Sequence, residues 1–157
     1  MKFIKIIYLL MVLILFSCGG EKQKTPANKT NNAVTTNKSI DNNVDLSNKG
    51  IGPIKEVKLD DNIDDARAKR GQKIYHEKCK ACHKEYKKYI GPPPVGVLNR
   101  RSPEWIMNMI LNPEEMVKKD PIAKGLLKKF VSPMANQHLT KEEARDVLEY
   151  FRTLKEK

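Results

Sequence analysis

The run Cys79-Lys80-Ala81-Cys82-His83 constrains this chain more than any other stretch. Two thiols three positions apart, with an imidazole directly after the second, gather three reactive or ligating groups within about one helical turn. The chain has 157 residues and 3 cysteines. An odd cysteine count argues against a purely disulfide framework, and this length gives one domain, or a small domain with a tail. A thioredoxin-like dithiol needs a βαβ context, and no segment shows the alternation of a strand. Half of a zinc site needs further ligands, and no second cysteine pair exists; only His76 and His138 remain.

The pattern matches covalent haem attachment. Cys79 and Cys82, near a helix end, can each form a thioether to one of the two vinyl groups of the haem. His83 then stands under the iron and supplies one axial nitrogen. A sixth ligand must come from elsewhere, and the candidates are Met107, Met109, Met116, Met134, His76 and His138. Met109 falls on the core face of a helix, and Met107 on a different face. His76 precedes the motif on the same helix, badly placed for the opposite haem face. Met134 follows Ser132-Pro133 in an irregular segment before a capped helix, where a thioether can swing onto the iron. Met134 is the expected ligand, with Met116, in a polar loop-like stretch, and His138 as the alternatives.

The first cysteine belongs to a different region. Lys2 and Lys5 precede an apolar run from Ile6 to Phe16. As a helix that run covers about 16 Å, roughly half of a bilayer core, which fits a signal peptide and not a membrane span. It closes on Leu15-Phe16-Ser17-Cys18, which resembles the lipobox of bacterial lipoproteins. The resemblance implies cleavage before Cys18, a diacylglycerol on its thiol, and a mature protein anchored to a membrane without spanning it. The expected division is a signal peptide over 1–17, a lipidated Cys18 with a flexible Asn/Lys-rich tether over 18–60, and a domain over 61–157. In the tether, Asn28, Asn31, Asn32, Asn37, Asn42, Asn43 and Asn48 alternate with Lys, Thr and Ser without an apolar period. So polar a segment buries too little surface to offset the entropy of ordering it.

The domain reads as all-α. A helix is predicted from Asp64-Asp65 to about Cys79, with acids at its start and lysines near its end. Gly91-Pro92-Pro93-Pro94-Val95-Gly96 is loop. Ser102-Pro103-Glu104 is an N-cap, an N1 proline and a first-turn acid, opening a helix that stops near Asn112-Pro113. A shorter helix is expected over 121–130. Thr140-Lys141-Glu142-Glu143 is a capping box, after which Ala144, Val147, Leu148, Phe151 and Leu154 recur at helical spacing.

On these residues the chain resembles a class I monohaem cytochrome c, from about 66 to 155. The order helix, CKACH, Gly-Pro loop, middle helices, Met loop and C-terminal helix is the order of that family. The resemblance implies a small helical domain wrapped around one covalent haem c, and a closed His83/Met134 iron that shuttles single electrons. It implies that the Pro92 carbonyl accepts a hydrogen bond from the axial histidine, and that Arg100 or Arg101 and Trp105 approach the haem propionates. Pro94 stands where the family usually has a leucine. SPEWIMNMILNPEEM and MANQHLTKEEARDVLEYFR are also similar to the lipoprotein cytochromes associated with nitrous-oxide reductase. That likeness implies electron exchange with such a terminal reductase in a bacterial respiratory chain. The rival readings are a haem enzyme or gas sensor with an open sixth site, and a cytochrome subunit of a larger oxidoreductase.

From residue 64 to 157 there are 21 basic and 13 acidic residues, a net of +8. Lys84, Lys87 and Lys88 follow the motif, and Lys128 and Lys129 precede Met134. They are expected to steer an acidic redox partner to the exposed haem edge. An exported haem protein is not expected to bind nucleic acid, and a closed iron takes no small-molecule substrate. The expected location is the periplasm, lipid-anchored to the inner or the outer membrane.

Overall fold

The helix starts follow directly from side-chain chemistry. The computed structural model describes residues 44–156; the expected signal peptide, Cys18 and the tether to residue 43 lie outside the described residues. Helix α1 (Asp65–Ile74) runs into one π-helical turn, Tyr75–Cys79, and a 3-10 turn, Val97–Asn99, follows the proline loop. Then come α2 (Pro103–Leu111), α3 (Pro113–Lys119), α4 (Pro121–Phe130) and α5 (Lys141–Thr153). Asp64, Ser102 and Asp120 cap α1, α2 and α4 by accepting from the N–H three residues on. Thr140 and Glu143 close the capping box of α5 in both directions. Three helices open on proline, whose missing N–H would have had no partner there. Among the described residues the only bridge-type pairing is the isolated Asp45–Arg101 one, so the domain is all-α.

Helices α1 and α5 cross at Gly71. A Cβ there would lie 1.9 Å from the main-chain oxygen of Asp146, so only glycine lets the two backbones touch. Arg67 and Arg70 bind Asp146 across the crossing at 3.0 and 2.7 Å. Glu149, fully buried, receives Arg145, Arg152 and the Asp64 N–H. Burial alone would raise its carboxyl, but these donors outweigh burial and hold it below the ordinary value. Trp105, Ile106 and Ile110 of α2 pack with Met116, Ala123, Val147 and Leu148 as one core.

Two expectations change. Residues 44–60, the end of the expected tether, pack across α2 and α3. Ile54 is in the core. The buried Asn108 side chain accepts from the Ile54 N–H at 2.9 Å and donates to the carbonyls of Lys49 and Ile54 at 2.8 and 2.9 Å. Ser102 donates to the Asn48 carbonyl at 2.7 Å, and Glu104 accepts from the Val57 N–H. The strap is ordered by polar groups of α2 that complete its backbone hydrogen bonds, which a count of apolar residues does not register. The packed domain therefore starts by residue 44, not at 61. The stretch around Met116, read as loop, is α3: Pro113 sits at N1, Glu114 and Glu115 fill the first turn, and Lys118 and Lys119 the last.

Candidate functional site

The turn that ends α1 gathers the motif. Lys80 N–H reaches the Tyr75 carbonyl at 2.9 Å, and the N–H groups of Cys82 and His83 both bond Cys79 O, at 3.0 and 2.9 Å. This coil brings Cys79, Cys82 and His83 to one cavity, whose other walls are largely apolar. The loop Gly91-Pro92-Pro93-Pro94 forms one side. Trp105, Ile106, Met109 and Ile110 of α2, Leu126 and Phe130 of α4, and Phe151 of α5 form others, and Met134 lines it from the segment before α5.

His83 is held at several points. Its Nδ1 lies 2.7 Å from the Pro92 carbonyl. A carbonyl only accepts, so Nδ1 carries the proton and Nε2 is left with its lone pair for a metal. Gly91 allows this approach, because a Cβ there would come within 2.4 Å of His83 Cε1. The main-chain oxygen of His83 accepts from the Tyr75 hydroxyl at 2.7 Å. Tyr75 is 1% exposed and stacks against Tyr150 and Phe151, with centroids 5.4 and 5.9 Å away. Burial, then the Glu85 carboxylate and Cys79, push its phenol far above the ordinary range, so it donates at every working pH. Burial and the neighbouring Cys82 push the Cys79 thiol up to about 11.

The sixth-ligand candidates separate clearly. Met134 lines the cavity. Met116 is fully buried beside the strap, and its sulfur accepts from the Ile51 N–H at 2.9 Å. His138 is exposed, with φ 54. Neither Met116 nor His138 lines the cavity, and His76 pairs with Glu85 at 3.4 Å. Met109, read as packing, lines the cavity as well.

Arg100 and Trp105, expected at the propionates, have other partners. The Arg100 guanidinium braces the proline loop through the carbonyls of Val95 and Gly96, at 3.2 and 2.9 Å, and does not line the cavity. Arg101 stacks 5.4 Å over Trp105. Trp105 does line the cavity, but its single N–H donates to Asp120 at 3.1 Å. Sequence reasoning missed Tyr75 and Asp120. Tyr75 lies four residues before Cys79, one turn away, but its hydroxyl serves a main-chain oxygen and leaves no side-chain partner to read.

Two thiols, an imidazole with a bare Nε2 and a thioether on one apolar cavity fit a covalently attached haem, with Cys79 and Cys82 to hold it and His83 and Met134 to ligate the iron. A family model described as cytochrome c matches residues 68–155. Among solved structures, cytochrome c from Rhodothermus marinus is 39% identical over 66% of this chain and 89% of that one, with a TM-score of 0.64. An engineered form of that protein is 38% identical over 66% and 90%, with a TM-score of 0.64. An engineered form bound to a carbene intermediate is 39% identical over 66% and 89%, with a TM-score of 0.61. No curated protein matches the chain.

Proposed function

The chain belongs to the cytochrome c family, with its one covalent haem c and its electron-carrying role, and we propose that it is a one-electron carrier tethered to a bacterial envelope membrane. The observation that carries this reading is the convergence of Cys79, Cys82, His83 and Met134 on one apolar cavity. The haem supplies a one-electron couple between Fe(III) and Fe(II). The chain supplies the rest. Cys79 and Cys82 would hold the haem through thioethers, and the Pro92 carbonyl, by taking the Nδ1 proton in a hydrogen bond, leaves His83 Nε2 available to bind the iron. Met134, on the wall of the same cavity, would supply the second protein ligand and so would leave no vacant site for a small-molecule substrate. A thioether ligand in an apolar pocket disfavours the extra charge of the oxidised iron and raises the potential.

Cys18 carries the lipid in this reading, and the haem domain faces the periplasm. Among the described residues no helix is long and apolar enough to cross a membrane. The redox partner presents an acidic surface to a basic rim. Support comes from Lys88, whose Nζ lies 5.2 Å over the Phe130 ring and brings the 84–90 loop against the end of α4, with Lys128 and Lys129. Tyr86, Tyr89, Ile90 and Val131 are exposed on these two segments, and Ile90 and Phe130 line the cavity. The stretch SPEWIMNMILNPEEM supports a terminal reductase of the nitrous-oxide type as that partner.

The test is purification from membranes with intact-mass analysis and optical spectra. The expected result is one covalent haem, a lipid on Cys18 and no CO adduct of the ferrous protein at neutral pH. Ready CO binding would sink the closed-site reading in favour of an open-site enzyme or sensor. Transfer to the partner should slow as salt rises, and a flat profile would remove the basic rim from the mechanism.

A further inference from the structure

We propose that the Tyr75 hydroxyl is a positioning group for the axial histidine and tunes the reduction potential through it. The proposal rests on His83 being an iron ligand. Cys79 O fixes the His83 N–H, and the Pro92 carbonyl fixes the ring. The Tyr75 hydroxyl, 2.7 Å from the His83 main-chain oxygen, fixes the third point. It is the one of the three that links the ligand to the C-terminal helix, because the Tyr75 ring is buried against Tyr150 and Phe151. Tyr150 in turn donates to Glu85 at 2.7 Å, two residues beyond the ligand. Two tyrosines therefore hold the segment just after the motif, and only Tyr75 bonds the ligand residue itself.

The electrostatic sign follows. A hydroxyl proton aimed at the His83 oxygen offsets the negative end of that carbonyl dipole. Removing the donor leaves the negative end unopposed in a buried place, which favours the more highly charged ferric iron. The same loss frees the ligand's main chain to shift.

Tyr75→Phe keeps the ring and deletes only the oxygen. The expected result is a lower reduction potential and a changed pattern of hyperfine-shifted haem methyl resonances, which report the plane of the axial imidazole. Tyr150→Phe, which loosens the same cluster without touching His83, should leave both readouts at the parent values. 3-Fluorotyrosine placed at Tyr75 is a stronger donor of the same shape and should move the potential upward, opposite to phenylalanine. An unchanged potential in Tyr75→Phe, equal shifts in both phenylalanine variants, or a downward shift with the fluorinated residue would each overturn the proposal. If His83→Ala keeps the parent's low-spin spectrum, His83 is not the ligand, and the reading beneath the proposal fails with it.

Discussion

The two sides of the cavity are built differently. On the motif side, three hydrogen bonds of 2.7 to 2.9 Å hold His83, and Gly91 lets the proline loop close against its ring. On the other side, Met134 sits half-buried in a stretch without helix, between Val131 and His138, both in left-handed backbone at φ 54. Its neighbours are held by longer or local bonds, such as Asn136 to the Leu111 carbonyl at 3.4 Å and the His138 N–H to Asn136. His83 is thus over-determined, whereas Met134 hangs on a strained segment. The methionine side should be the first to yield to heat, denaturant or a competing ligand.

The sharpest way to break that contrast is to damage the motif side. Gly71→Ala puts a Cβ 1.9 Å from a main-chain oxygen of α5 that cannot swing aside. The expected loss is about 3 kcal/mol, with a Tm lower by roughly 15 °C, read by calorimetry of the haem-loaded protein. A loss under a few tenths of a kcal/mol would mean that the crossing is not what holds the motif. Next comes Met134→Ala. Truncating a half-buried side chain should cost about 1–2 kcal/mol, while the potential falls and CO binds the ferrous iron. If the potential stays put, Met109, the other methionine of the cavity wall, becomes the ligand to test.

The contrast also explains what was legible in the sequence. CKACH, the capping residues and the proline starts act over three to five positions, so the motif, four of the five α-helices among the described residues and the cavity's thiols and imidazole could be read from local text. The strap over 44–60 could not, because Asn108 and Ser102 supply its hydrogen bonds from more than fifty residues away. α3 was hidden by its polarity, since only Pro113 and Met116 of its seven residues are buried. Arg100 and Trp105 have the right residue types for a propionate, but the terminal nitrogens of Arg100 bond loop carbonyls and the Trp105 indole N–H bonds Asp120, partners that no spacing rule encodes.

Val131→Gly sharpens the comparison by relaxing the weak side. A β-branched residue in left-handed backbone is strained by about 1–2 kcal/mol, and at 84% exposure its side chain packs against little. Glycine removes the strain but costs about 0.5–1 kcal/mol of backbone entropy. The net expectation is a gain of about 0.5–1 kcal/mol, with slower displacement of the methionine by an added imidazole ligand. Faster displacement would show that the strain holds Met134 in place and does not loosen it.

The smallest expected effect lies in acid. Glu149 is held below its ordinary value of 4.5 by Arg145, Arg152 and the Asp64 N–H, so its folded pKa is below its unfolded one. Its stabilisation is complete above the unfolded value and is lost as pH falls through the folded one. Because Glu149 ties the start of α1 to α5, acid should loosen the motif side more than the Met134 segment, which has no carboxylate of its own between 131 and 139. Glu149→Gln should therefore flatten the fall of stability below pH 4.5 and leave the rate of methionine displacement unchanged. A displacement rate that follows the acid transition in the parent and not in the variant would show that the two sides are coupled through α5.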